Sequence, residues 1–284
     1  MIGSNLRKVV DVVLYNGEED IFDLRIQELN PVVDEFWVIE GNCTFVGQPK
    51  ELLFENQAHL KKWPMSKIKY FPFRPLPAAI SLDPWVNEFA QRNYIGTIVD
   101  KCNPDDLILY SDVDEIPRPE AVVAARSDVL SEYFGFEMTT HYLKFNYRMI
   151  EPAGLANSVW TIGFCKKHLE VHSANQLRIG IRERSIPARI LQNGGWHFSY
   201  MMDENTIKNK IRSFSHQEFN TPEFLENISV ERILRNKNDL LLRDGYLWDF
   251  CPIRTLPKTI RDNPRKYECH LFRRHLFSRL LSGR

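Results

Sequence analysis

Short apolar blocks separated by polar turns set the rhythm of the first part of the chain. Val9, Val10, Val12, Val13 and Leu14 are aliphatic and mostly β-branched, and they read as a strand that breaks at Asn16-Gly17. Ile21, Leu24, Arg25, Glu28 and Leu29 then recur at helical spacing behind Glu18, Glu19 and Asp20, acidic residues suited to a helix start, and Asn30-Pro31 ends that helix. Residues 35–40 and 67–71 read as further strands, the second closed by Pro72, Pro75 and Pro77. Residues 85–99 read as a helix and 107–110, Leu-Ile-Leu-Tyr, as a buried strand. Strand alternating with helix predicts an α/β fold with a mostly parallel central sheet.

After Pro117 the pattern changes. Residues 133–138 and 141–147 alternate in the manner of antiparallel strands, and 160–165 and 196–200 could add two more. A helix bearing Lys and Arg is predicted from Asp203 to about Phe214. No repeat or low-complexity linker divides the chain. The expectation is one domain over residues 1–284, with a parallel half at about 8–126 and a mixed, helix-covered half at about 127–265. A basic amphipathic helix is expected at about 266–284, where it could make a peripheral contact with an anionic membrane or pack on the domain with its arginines outward.

The strand at 107–110 runs into three carboxylates, Asp112, Asp114 and Glu115, before Pro117. Ligands of open α/β sheets sit at the carboxyl ends of the strands. Strand alternation puts Asp112 and Asp114 on one side, close enough to share a hard cation such as Mg²⁺ or Mn²⁺. The plainer alternative is a polar turn in which one of them caps the next helix. Asn16 and Glu18 follow the first strand and Glu40 to Lys50 the second, so these polar groups could converge with the carboxylates. The usual glycine-rich phosphate cradles are absent from the sequence, which leaves charge neutralisation of any bound diphosphate to a metal.

Composition narrows the partners. Lys+Arg and Asp+Glu each number 37 in 284 residues, and a chain without net positive charge is not a bulk nucleic-acid binder. The five cysteines are scattered and form no C-x-x-C pair, which argues against a zinc site and for a reducing compartment. With neither a signal peptide nor a long apolar span in view, a cytoplasmic location is expected, at most peripheral at the inner face of a membrane.

Four stretches together resemble glycosyltransferase family 17: Glu40 to Lys50 (EGNCTFVGQPK), Gln91-Arg92-Asn93, Ser111 to Pro117 (SDVDEIP) and Gly195 to Ser199 (GWHFS). Their order and approximate spacing match from about Val10 to Asn263. The resemblance implies a GT-A-like nucleotide-sugar-binding fold, a UDP-sugar donor, a divalent metal and inversion at the anomeric carbon. N-acetylglucosamine is the sugar it suggests, because the family includes an N-acetylglucosaminyltransferase acting on N-glycans. Animal members carry a membrane anchor and stem not seen here, so a bacterial surface glycan or lipid-linked saccharide is the expected acceptor.

The roles that follow are these. Asp114 is a direct metal ligand, Asp112 a ligand or a contact to the donor ribose or a metal-bound water, and His197 a metal or diphosphate contact, or else a packed histidine. Glu115 is the first choice for a base or acceptor-orienting group, with Glu137 and Asp203 behind it. Asn16, Glu18, Glu40, Lys50 and Arg92 are expected on the donor, although Arg92 could instead pair with Glu88 one turn earlier. Trp196, Tyr142 and Asn146 are expected on the acceptor. Two rival functions share the Asp-x-Asp pattern or the cleft: a haloacid-dehalogenase-like phosphohydrolase and a non-catalytic carbohydrate-binding protein.

Overall fold

A computed structural model describes residues 7–61 and 63–272. The first half alternates as its apolar blocks dictate: β1 (Val9–Tyr15), α1 (Glu19–Leu29), β2 (Glu35–Gly41), α2 (Phe54–Lys61), β3 (Ile68–Phe73), α3 (Pro84–Asn93), α4 (Ile95–Ile98) and β4 (Leu107–Asp112). β5 (Glu115–Pro117), α5 (Pro119–Ser127), β6 (Tyr133–Tyr142), β7 (Tyr147–Glu151), α6 (Ala153–Ala156), β8 (Asn157–Cys165), α7 (Ala174–Arg182) and β9 (Arg189–Ser199) follow. The chain continues through α8 (Glu204–Ser213), α9 (Pro222–Asn227), α10 (Val230–Asn236), β10 (Leu247–Phe250) and α11 (Lys258–Asp262).

One ten-stranded sheet carries both halves, in the order β10-β7-β6-β8-β4-β1-β2-β3, with β9 beside β6 and β5 beside β9. β3, β2, β1 and β4 are parallel, and β8 is antiparallel to β4. β6 runs antiparallel to β8 and parallel to β9. This is a mixed α/β arrangement, with a parallel half and a mixed half on one sheet. Alternation places Val9, Val13, Val38 and Leu109 on one face with residues of α1, α5 and α11. Val10, Val12, Ile39 and Ile108 face the other way, onto α4 and α7. A third cluster, with Tyr142, Tyr147 and Trp248, lies among α8, α9 and α10. Each large side chain fully buried in these layers contributes about 1.5–3 kcal/mol.

The structure redraws two predicted elements and the first residues of a third. Residues 141–147 are not one strand: β6 runs on to Tyr142, and the chain turns at Leu143, whose φ is 63°. The alternation there misleads because Phe145 leaves the sheet to pack on Phe198, with ring centroids 4.8 Å apart. The helix over 85–99 breaks at Tyr94, whose amide donates to the Gln91 carbonyl three residues back, a tightened final turn. At the C-terminus, Glu268–His270 forms a single 3₁₀ turn, and the rest of the expected basic helix lies outside the described residues from position 273 onward. Among the described residues no helix is long and apolar enough to cross a membrane.

Candidate active site

Every residue of β1 is buried, Asp11 included. A carboxylate in an apolar strand is costly unless paired. Arg25 of α1 pairs it: Nε and Nη2 each donate to Asp11 at 2.7 Å. Its other hydrogen bonds reach Ser111 Oγ at 2.8 Å and the carbonyls of Asp112, Val113 and Glu115 at 3.2, 3.3 and 2.7 Å. A fully buried guanidinium thus supports the loop after β4 from beneath. Thr161 Oγ1 donates to the same Glu115 carbonyl at 3.0 Å, and the Phe198 amide donates to the Asp114 carbonyl at 2.8 Å.

Two further arginines hold the side chains above. Arg92 of α3 donates to both oxygens of Asp112, at 2.7 and 3.0 Å, and through Nε to Glu88 at 2.9 Å. Arg178 of α7 donates to both oxygens of Glu115 and, at 3.2 Å, to Asp112. Burial opposes ionisation of Asp112, yet Arg92 and Arg178 hold it well below the usual carboxylate range.

Asp114 is different. It is buried without an arginine, and its carboxyl is pushed up to about 7 by burial and by repulsion from Asp112, Glu115 and Glu18, with Lys210 opposing. Its oxygen stands 3.9 Å from Nε2 of His197, beyond hydrogen-bond reach. Burial lowers His197 to about 4, so the imidazole is neutral at pH 7, and its buried Nδ1 has no partner among the described residues. β9 brings His197 here by pairing it with Glu115 of β5. Among the described residues no group of three or more His, Cys, Asp or Glu is placed to hold a metal. The Asp114–His197 pair does fit a Mg²⁺ or Mn²⁺ ion that takes its remaining ligands from substrate phosphates and water, the usual habit of Mg²⁺.

These groups line one cleft of about 710 Å³, shared by Asn16, Glu18, Lys50, Arg92, Asp112, Asp114, Glu115, Tyr142 and His197. These sequence-predicted residues do converge on one cleft. Asp112, expected as a metal ligand or a contact to the donor ribose or a metal-bound water, accepts from Arg92 on both oxygens, and Glu115, expected as a base or acceptor-orienting group, accepts from Arg178 on both.

Five other expected residues do not line the cleft. Glu40 is wholly buried and accepts from the Leu53 and Phe54 amides at 2.8 and 3.1 Å and from the Tyr70 hydroxyl at 2.8 Å, anchoring the start of α2. Trp196 packs in the core, its Nε1 donating to the Thr255 carbonyl at 3.0 Å. Asn146 ties down the backbone of Phe272 at 2.9 and 3.0 Å. Asp203 caps α8 by accepting from the Asn205 and Thr206 amides, and Glu137 sits where the β6 pairing shifts register.

Residues that the sequence reading passed over complete the site: Arg25 and Arg178, and in the cleft Trp160, Arg182 and Lys210. Two signals pointed to them. Asp11 amid β-branched residues demands a buried cation, and Ser173-x-x-Gln176 ahead of Leu177 and Ile181 marks the capping box that opens α7.

Carboxylates and cations at the carboxyl ends of a parallel sheet, facing one cleft, are the arrangement of an α/β enzyme site. A family model described as glycosyltransferase family 17 matches residues 2–268, and the chain belongs to that family. It is 30% identical to the human beta-1,4-mannosyl-glycoprotein 4-beta-N-acetylglucosaminyltransferase over 139 residues, 46% of this chain and 26% of that protein. The rat protein of the same name gives the same figures. The match spans about a quarter of the length of these curated relatives. Solved structures superpose loosely. HddC from Yersinia pseudotuberculosis gives a TM-score of 0.39 at 8% identity, covering 67% of this chain and 91% of that one. The galactosyltransferase LgtC, crystallised with donor and acceptor sugar analogues, gives 0.34 at 12%, covering 66% and 67%. Family membership sets aside the phosphohydrolase alternative.

Proposed function

We propose that the protein is a metal-dependent, inverting transferase that moves N-acetylglucosamine from a UDP-sugar to a glycan or lipid-linked saccharide. The observation that carries this reading is the buried pair of Asp114 and His197, facing each other at 3.9 Å beside a loop locked by three arginines. In this reading Asp114 and His197 hold Mn²⁺ or Mg²⁺. When bound, such an ion would stabilise the negative charge on the departing nucleoside diphosphate. Lys210 lies across from Asp114 with Glu18 at 3.6 Å, and adds positive charge on the same side. Asn16, directly after β1, and Lys50, in the loop that follows β2, face the nucleoside. Tyr142, at the end of β6, faces the acceptor. Asp112 and Glu115 act through the loop: their arginine pairs fix the backbone that aims Asp114. The sugar comes from the likeness to the human and rat proteins, which are N-acetylglucosaminyltransferases by name.

Calorimetric titration of UDP tests the reading, with Mn²⁺ and with EDTA, on the wild type and on Asp114→Asn. UDP is expected to bind with the metal and to lose about 30-fold or more in affinity when either the metal or the carboxylate is removed, the loss of about 2 kcal/mol from a charged contact. Equal binding in EDTA would sink the metal assignment, and no UDP binding to folded wild type would sink the donor.

A further inference from the structure

Five lysines and arginines line the cleft: Lys50, Arg92, Arg182, Lys210 and Arg243. Four have a carboxylate of their own. Lys50 meets Glu40 at 3.5 Å, Arg92 meets Asp112 at 2.7 Å, Lys210 meets Glu18 at 3.6 Å and Arg243 meets Asp239 at 2.8 Å. Arg182, at the end of α7, has no ion-pair or hydrogen-bond partner among the described residues. Its guanidinium lies instead on the indole face of Trp160, 4.0 Å from the ring centroid. The Trp160 ring in turn packs on His197, centroids 4.2 Å apart. Arg182 is therefore exposed, stacked and held one ring away from the Asp114–His197 pair, with its planar fork of N–H donors open to a ligand.

The sheet order says which ligand. β1 and β2, which lead to Asn16 and Lys50, lie on one side of β4, whereas β8, which carries Trp160, lies on the other with β6, β7 and β10. Tyr142 of β6, Met149 of β7 and Tyr246 just before β10 line the cleft on that second side. We propose that the acceptor is anionic and that Arg182, laid on Trp160, receives its phosphate or carboxylate through a bidentate contact. The proposal rests on the donor reading above only in giving the β1–β2 side to the nucleotide.

Sugars of known charge can be titrated calorimetrically into protein saturated with UDP and Mn²⁺: glucose 6-phosphate, glucuronate and uncharged glucose, against wild type and Arg182→Gln. In the wild type at least one charged sugar is expected to bind about tenfold or more tightly than glucose, and Arg182→Gln to remove that margin while UDP affinity stays within about twofold. Preference for the phosphate alone points to a phosphorylated or lipid-diphosphate acceptor, and preference for glucuronate alone to an acidic glycan. Arg182→Lys, which keeps the charge without the fork, is expected between the two. The proposal is overturned if charge gives no advantage in the wild type, if the advantage survives Arg182→Gln, or if that variant weakens UDP instead, which would place Arg182 on the donor diphosphate. Should UDP fail to bind the wild type, the donor reading falls, and the same titrations without UDP still decide whether Arg182 forms an anion site.

Discussion

Arg25 and Arg182 put the same side chain to opposite uses. Arg25 is sealed under the loop after β4 with Asp11 and three loop carbonyls, whereas Arg182 is left open to the cleft. Replacing Arg25 by Met would strand a buried carboxylate, and urea unfolding is expected to show a loss of about 3–5 kcal/mol. The double variant Asp11→Leu/Arg25→Met removes both charges and is expected to recover most of that stability. It should not recover metal-dependent UDP affinity, because the carbonyls of Asp112, Val113 and Glu115 lose their donor. If UDP affinity returned with stability, Arg25 would be a core pair and not a support for the loop. At this scale the sequence disclosed which residue types gather at the strand ends, and Asp114 and His197 do face each other. It did not disclose that Asp112 and Glu115 are already engaged, because their partners Arg92 and Arg178 come from helices distant in the chain.

Elements place those residues, and close approach between two of them depends on glycine. Where β9 crosses β5, a Cβ on Gly195 would lie 2.3 Å from the Ile116 carbonyl oxygen and 2.8 Å from the Pro117 Cα, backbone atoms that cannot step aside. Gly195→Ala is therefore expected to cost more than about 2 kcal/mol in urea unfolding. It should also weaken UDP binding in Mn²⁺, since the β5–β9 pairing that sets His197 beside Glu115 must open. Unchanged stability would show that the two strands have slack. The helix and strand types were legible wherever one periodicity persisted, as in α1, β1 and β4. They were obscured where a side chain serves two layers: Phe145 alternates as if in a strand, yet it leaves the sheet for Phe198.

The parallel half of the molecule is gathered at its entry edge by Glu35. Lys8 ahead of β1 and Lys69 of β3 approach it at 2.6 and 2.8 Å, and Trp37 Nε1 donates to it at 2.7 Å. Burial alone would raise this carboxyl, but the hydrogen bonds from Lys69, Lys8 and Trp37 bring it from 4.5 down to about 2. A depressed carboxyl stabilises the fold above its unfolded value and loses that contribution as pH falls from about 4.5 towards 2. Urea unfolding between pH 6 and 2.5 is expected to show Glu35→Gln losing about 1 kcal/mol less than wild type, the partial exposure of the pair having screened the rest. Parallel curves would assign the acid sensitivity to other groups. Across the whole molecule, local periodicity determined by itself that a parallel α/β half precedes a mixed half, and that a carboxylate cluster ends its central strand, because burial of one face fixes the spacing of apolar residues along the chain. Only the tertiary structure decided which carboxylates remain unpaired and which cation stays open to a ligand. Ion pairing is settled by distance in space, and α3, α7 and α8 bring Arg92, Arg178 and Lys210 to the cleft from positions that no local spacing connects.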